Sequence, residues 1–92
     1  MKKVHRLKTH SNEFAALKRG EKTAEFRKND RDFREGDVLI LEEWDPESRG
    51  FTGVVLSGDV THLVEGAFGI PEGYCVMSVN IIGAGARQEK RC

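Results

Sequence analysis

The chain has 92 residues with 15 basic and 15 acidic side chains, so its formal net charge is zero and gives no general argument for a nucleic-acid partner. Hydrophobic residues make up 38% and charged residues 33%, which favours one small globular domain over a disordered chain. No apolar run reaches the roughly 20 residues of a membrane helix, and the basic start has no apolar stretch after it, so we expect a cytoplasmic protein without a membrane partner.

The first predicted elements are a short strand and a short amphipathic helix. The strand covers residues 3–9. Ser11 is a candidate N-cap for the helix, because its hydroxyl can accept a hydrogen bond from the first turn. Phe14 and Leu17 fall at helical spacing and predict a core-facing stripe. Gly20 follows the last periodic residue and is the expected stop.

A second strand is predicted from an alternating pattern at residues 23–28. Ala24 and Phe26 fall on one side of this strand, and the polar residues Glu25 and Arg27 fall on the other. The pattern indicates a half-buried strand whose polar face directs a carboxylate and a guanidinium the same way. This face is either a solvated pair of charges or the floor of a site.

The remainder of the chain reads as turns and strands. We predict turns at residues 29–32 and 35–37, strands at residues 38–41, 51–56, 59–64 and 74–82, a bend at Ser57 and Gly58, and a glycine-rich loop at residues 65–73. Together these elements predict a mainly β (α+β) fold, which is a small β-barrel of five to six strands with one short N-terminal helix. Residues 1–82 form a single domain and residues 83–92 a flexible tail.

The two cysteines indicate neither a disulfide bond nor a metal site. Cys75 lies in an apolar run and Cys92 is the last residue, and neither is part of a Cys/His cluster with zinc-ligand spacing. A Ser-His-Asp or Cys-His arrangement is also missing from the sequence. We therefore predict no disulfide, no metal and no cofactor.

An ordered set of motifs resembles a known domain family. The run Gly-Glu-Lys-Thr-Ala-Glu-Phe-Arg at residues 20–27, followed by Gly-Asp-Val-Leu at residues 36–39, resembles the ASCH domains of the PUA-like superfamily. The run Lys-Asn-Asp-Arg-Asp-Phe at residues 28–33 and the stretches 51–53 and 68–74 are similar to a small ASCH-related family of unknown function found in bacteria and phages. The resemblance covers most of residues 3–79.

This resemblance implies a PUA-like β-barrel with a cleft near the first motif. ASCH domains are mostly proposed to bind RNA, and some small ones remove an acetyl group from modified cytidine. In those enzymes the motif lysine, which matches Lys22, is catalytic. Where they use a threonine this chain has Glu25, and the loop at residues 65–73 stands where their catalytic glutamate lies.

The motif residues have several open roles. Lys22 can be a base or nucleophile if it is desolvated, a phosphate contact if it stays hydrated, or simply a solvated side chain. Arg27 can pair with a phosphate, a carboxylate or a base edge. Glu25 can hold Arg27 by an ion pair or accept a hydrogen bond from the exocyclic amine of a base.

Further candidates lie near the motif or on the predicted strands. Asn29, Asp30 and Arg31 either build a turn or bring Arg31 to a ligand phosphate. Tyr74, and also Trp44, can stack on a base or pack across a barrel end. Other expectations are that His5 is a partly buried structural histidine, that Asp37 caps a turn, and that Lys2, Lys3, Arg6 and Lys8 form a basic patch.

Three functions follow from these expectations. The first is a module that binds RNA or a nucleotide through Lys22, Glu25, Arg27, Asn29, Asp30, Arg31 and Tyr74. The second is a small amidohydrolase acting on a modified nucleoside, in which Lys22 is activated and Glu25 or Glu65 carries the proton. The third is a protein-interaction domain, which would suit the zero net charge and the incomplete catalytic set. The oligomeric state is left open.

Overall fold

One five-stranded sheet and one helix make up the part of the chain that the computed structural model describes, residues 2–86. The elements in chain order are β1 (Val4–His10), α1 (Ser11–Arg19), β2 (Ala24–Lys28), β3 (Val38–Asp45), β4 (Gly50–Glu65) and β5 (Tyr74–Ala86). The prediction of a mainly β fold with five to six strands and one short N-terminal helix is confirmed. No helix among residues 2–86 has the length and hydropathy that a bilayer crossing requires.

The sheet curls into a half-barrel with the strand order β1-β3-β4-β5-β2. β1 runs parallel to β3, and the other neighbouring pairs are antiparallel. β1 and β2 are therefore the two edge strands, although they are close in sequence. We call the gap between these two edges the seam.

The core fills the concave side of the half-barrel. Phe14 and Leu17 of α1 are buried there, as predicted, with side chains from β1, β3, β4 and β5 and from the loop before β3. Gly20 ends the helix with φ +80°, and its backbone N–H bonds back to the last turn, as predicted. Ser11 is not the N-cap: the cap position is His10, without a side-chain hydrogen bond, and Ser11 is the first helical residue.

β4 is one continuous strand that bends where the sequence indicates. Its pairing register with β5 shifts between Ser57 and Gly58, at the predicted bend, and again between Val60 and His62. Irregularities of this kind increase the local twist, which helps a sheet to curl.

β5 is longer than predicted. The sequence indicated an end at Ile82 and a flexible tail from Gly83, but residues 83–86 pair with β4 from Ser57 to Val54. Small residues such as Gly83 contribute little to a core and are poor strand formers. The hydrophobic pattern of the sequence therefore did not indicate this extension. The ladder to β4 supplies the hydrogen bonds that define it. The rest of the predicted tail, with Cys92, lies outside the described residues.

Candidate functional site

An open cleft of about 460 Å³ lies at the seam, between β1 on one side and β2 with its following turn on the other. This size is within the usual range for small-molecule sites. Five of the seven predicted ligand-binding residues line it: Lys22, Glu25, Arg27, Asp30 and Arg31. The other lining residues are Leu7, Lys8, Thr9, His10, Glu13, Phe26, Lys28 and Phe33.

β2 alternates as predicted, and its polar face, whose exposure the sequence left open, is the one that faces inward. Glu25 is only 3% exposed, whereas Phe26 is 58% exposed. The reason is that β2 is an edge strand whose concave face meets the seam. There Glu25 and Arg27 find polar partners, so burial does not leave their charges uncompensated. The polar face of this strand is thus part of the structure as well as the wall of the cleft.

Glu25 is held by two cations. Arg27 donates from Nε to Glu25 Oε1 at 2.8 Å, and Lys22 Nζ lies 3.4 Å from Glu25 Oε2. Lys22 also donates to the exposed Glu13 carboxylate. Partial burial lowers the pKa of Lys22, but the contacts with Glu13 and Glu25 together outweigh it, so the net shift is upward. Lys22 therefore stays protonated at neutral pH.

Two guanidinium groups bridge the seam. Arg27 Nη2 donates to the backbone carbonyl oxygen of Lys8 at 3.1 Å, and Arg31 Nη1 donates to that of Arg6 at 2.7 Å. Both carbonyls belong to β1, whose edge faces the seam. Because an edge strand leaves backbone carbonyl groups without ladder partners, the arginines take over part of the role of a strand ladder between β1 and β2.

Asn29 does not face the cleft. Its backbone N–H donates to Gly73 O, its Oδ1 accepts from the backbone N–H of Phe33 at 2.7 Å, and its Nδ2 donates to Glu65 Oε2 at 2.6 Å. These contacts fix the turn after β2 to the loop before β5. Asn29 thus builds the turn that carries Asp30 and Arg31, and Glu65 is engaged in the same turn rather than in the cleft.

Tyr74 is likewise outside the cleft. It pairs in register with Lys28 at the end of β2 and stacks on Phe26, with ring centroids 5.6 Å apart and an interplanar angle of 17°. Trp44 stacks on His10 at 5.4 Å and has Lys8 Nζ 4.4 Å from its ring centroid. Neither ring is a wall of the cleft, so the predicted stacking residues do not join the motif residues there.

A buried pair supports the structure beside the cleft. His5 Nε2 lies 2.9 Å from Asp37 Oδ2, and the His5 ring meets the cleft residue Phe33 edge-on at 4.7 Å. Asp37 also accepts from the backbone N–H groups of Lys3 and Arg34, which closes the predicted turn. Both side chains are buried and have these structural partners, in agreement with the structural roles expected for them.

Sequence reasoning missed the contribution of β1 and α1 to the cleft. Lys8 was expected only as part of a general basic patch, and His10 and Glu13 were not candidates. The sequence signal for Glu13 as a cleft residue is weak, because an acidic residue in a first helical turn is already explained by the helix dipole. Only the curl of the sheet brings them opposite β2.

The fold and cleft define a small mainly β protein with a charged site at the seam of a half-barrel. Within that class, the chain belongs to the family described as Domain of unknown function (DUF3850), whose family model matches residues 4–79. It is also 40% identical over 65 residues to an Escherichia phage P2 protein described as an uncharacterized 12.9 kDa protein in the GpA 3′ region. That match covers 71% of this chain and 58% of the phage protein, so the chain spans less than two thirds of that relative. All residues that line the cleft lie within the family match.

Proposed function

We propose that the protein is a binding module for single-stranded RNA or a nucleotide, and that its half-barrel is of the ASCH type within the PUA-like superfamily. The observation that carries the proposal is the convergence of Lys22, Glu25, Arg27 and Arg31 on one cleft. Lys22, Glu25 and Arg27 come from the run that resembles ASCH domains, and Arg31 comes from the run that is similar to the small ASCH-related family. The site thus combines the sequence resemblance with a geometry that suits a ligand.

The charges that line the cleft favour an anionic ligand, although the whole chain is neutral. Five basic side chains line it: Lys8, Lys22, Arg27, Lys28 and Arg31. Three carboxylates also line it: Glu13, Glu25 and Asp30. An excess of two positive charges in a concave site attracts phosphate groups.

The cleft also offers groups that suit a nucleobase. Glu25 is a lining residue of the cleft, and a carboxylate can accept a hydrogen bond from the exocyclic amine of a base. Leu7 and Phe33, which are buried in the core, form the apolar part of the cleft lining. A ligand with both a phosphate and a polar base therefore matches the lining better than a phosphate alone.

The amidohydrolase alternative depends on the Lys22–Glu25 contact at 3.4 Å. A lysine acts as a nucleophile or base only when it loses its proton, and the pKa of Lys22 is raised by its two glutamates. This favours a charged ligand contact over catalysis. Incubation with N4-acetylcytidine is expected to give no deacetylation, and turnover that disappears in Lys22→Ala would favour the hydrolase instead.

The binding test is a titration of labelled single-stranded RNA of about 12 nucleotides at about 50 and about 200 mM salt. Binding is expected to weaken as salt rises, because each phosphate contact releases counterions. Arg31→Ala should weaken binding, whereas Lys18→Ala removes the same charge from the end of α1, outside the cleft, and should not. If micromolar protein binds neither RNA nor the nucleoside monophosphates at the lower salt, the proposal is wrong.

A further inference from the structure

An exposed aromatic pair lies on the convex side of the sheet, beside the cleft. Phe26 of β2 and Tyr74 of β5 stack nearly parallel, and they are 58% and 36% exposed. A phenylalanine this exposed, on a strand whose opposite face carries a buried carboxylate, is contrary to the usual distribution of apolar and charged residues.

The Phe26–Tyr74 pair differs from Trp44 and Phe68, two other aromatic residues near the surface. Trp44 is partly covered by His10 and by the ammonium group of Lys8. Phe68 is 93% exposed but lies in the loop between β4 and β5. Phe26, in contrast, is held on a strand by its ladder to Val76 and by the Tyr74 ring, so it presents a flat surface at a fixed position.

This aromatic surface is continuous with the cleft. Phe26 and Lys28 are both lining residues of the cleft, and Lys28 is also the register partner of Tyr74. A ligand that leaves the cleft across β2 therefore meets the aromatic pair next, with a lysine beside it. Both β2 faces, one with Arg27 and one with Phe26, then contact the same ligand.

We propose that Phe26 and Tyr74 form a second subsite that stacks the nucleobase adjacent to the nucleotide in the cleft, an inference that rests on the proposed function. The ligand is a single strand of at least two nucleotides. The cleft binds one nucleotide through Arg27 and Arg31, and the aromatic pair receives the neighbouring base, while Lys28 lies close to the phosphate that connects them.

The area of the pair favours a base over a protein partner. From the side-chain areas of phenylalanine and tyrosine, the two exposed rings offer on the order of 200 Å². A stable protein interface buries about 800 Å² on each partner. Aromatic rings next to basic residues are the common way in which single-stranded nucleic acid is held without sequence preference.

The test compares the same RNA oligonucleotide of about 12 nucleotides with the four nucleoside 5′-monophosphates, for wild type and three variants. Phe26→Ala removes the stacking surface. Phe26→Leu keeps most of the apolar area without a π-face. Phe68→Ala is the matched control, an exposed phenylalanine in the loop between β4 and β5 that is not part of the stacked pair.

Phe26→Ala and Phe26→Leu are each expected to weaken oligonucleotide binding at least about fivefold, because stacking on one base is typically worth this much or more. Mononucleotide binding should weaken much less than oligonucleotide binding, and the salt dependence should stay unchanged, since no charge is removed. Phe68→Ala should bind both ligands like wild type. Thermal unfolding of each variant checks that it is folded.

The outcomes separate the two proposals. If wild type binds the oligonucleotide and Phe26→Ala binds it equally well, the second subsite is wrong and the cleft proposal stands. If Phe26→Leu binds like wild type while Phe26→Ala does not, the contact with the oligonucleotide is simply apolar, which overturns base stacking. If wild type binds neither ligand, the proposed function fails and the subsite fails with it.

Discussion

Arg27 joins the two edges of the half-barrel: its Nε donates to Glu25 Oε1 on its own strand at 2.8 Å, and its Nη2 donates to the carbonyl oxygen of Lys8 on β1 at 3.1 Å. Glu25 is buried, so its carboxylate needs the Arg27 guanidinium as a compensating partner. The residue that best suits a ligand is therefore also part of the closure of the seam. Binding and stability are coupled at this position.

Arg27→Ala is expected to lower the free energy of unfolding by about 1–3 kcal/mol, the cost of leaving a buried carboxylate with fewer partners. The loss is smaller than for a fully isolated charge, because Lys22 remains 3.4 Å from Glu25. Chemical denaturation measures it.

The matched control for this loss is Arg34→Ala. Arg34 pairs with Asp32 at 3.2 Å, but both side chains are largely exposed, so removal should change stability by no more than about 0.5 kcal/mol. If Arg27→Ala is as stable as Arg34→Ala, the Glu25–Arg27 pair is not part of the structural closure.

Asp37 is expected to make stability depend on acid pH. Burial raises the pKa of this carboxyl, but the His5 contact and the amides of Lys3 and Arg34 more than offset it, so the folded pKa lies below its ordinary value of 3.8. A depressed folded pKa means that this stabilisation is complete above about 3.8 and is lost as pH falls through the lower folded pKa. Unfolding measured from pH 7 down to pH 2 should therefore show a steep loss on the acid side.

Asp37→Asn should destabilise the protein at neutral pH by about 1–3 kcal/mol and flatten this acid-side loss. The comparison is best made in high salt, which screens the exposed pairs of Asp32 and Glu21 but not a buried contact. Asp30→Asn, an exposed change, is the control. An unchanged pH profile in Asp37→Asn would show that other carboxylates determine it.

Gly58 is expected to be intolerant of any side chain. A Cβ at this position would lie 2.7 Å from Val79 Cγ1 and 2.9 Å from the backbone oxygen of Asn80. Since a ladder carbonyl cannot move away cheaply, Gly58→Ala should cost about 1–3 kcal/mol. Gly50→Ala in the same strand, where a Cβ meets nothing within 4 Å, should be close to neutral. Equal melting temperatures for the two variants would contradict the close approach of β4 and β5.

Much of the fold follows from local sequence signals. The helix with its buried Phe14 and Leu17, its end at Gly20 and the bend at Ser57 and Gly58 are all encoded by spacing and by glycine positions. These features depend on neighbours in sequence, which a pattern captures well. The extension of β5 past Ile82 was missed because it depends on pairing with β4 instead.

The orientation of β2 was not predictable from the alternation alone. A pattern of period two gives two faces but does not say which meets the interior when charges on one face are paired. The sheet order decides this, because it makes β2 an edge and sets Glu25 against the seam. For the same reason the motif indicated Lys22, Arg27 and Arg31 as neighbours, yet gave no sign that Asn29 and Tyr74 face elsewhere.

If the cleft binds a nucleotide, Arg27→Ala should weaken binding more than Lys22→Ala. Arg27 is positioned by Glu25 and by Lys8 O, so its fork loses little side-chain entropy on binding, whereas the Lys22 charge is shared between Glu13 and Glu25. Loss of a charge-assisted hydrogen bond typically costs about 1.5–3 kcal/mol, or roughly ten- to hundredfold in affinity.

Arg27→Lys separates charge from geometry: it retains the positive charge, and so the salt dependence, but should recover only part of the affinity. Titration of RNA at a temperature where each variant is folded measures all three. Wild-type affinity in Arg27→Ala would show that Arg27 does not contact the ligand. Full recovery in Arg27→Lys would show that the planar guanidinium is not needed for that contact.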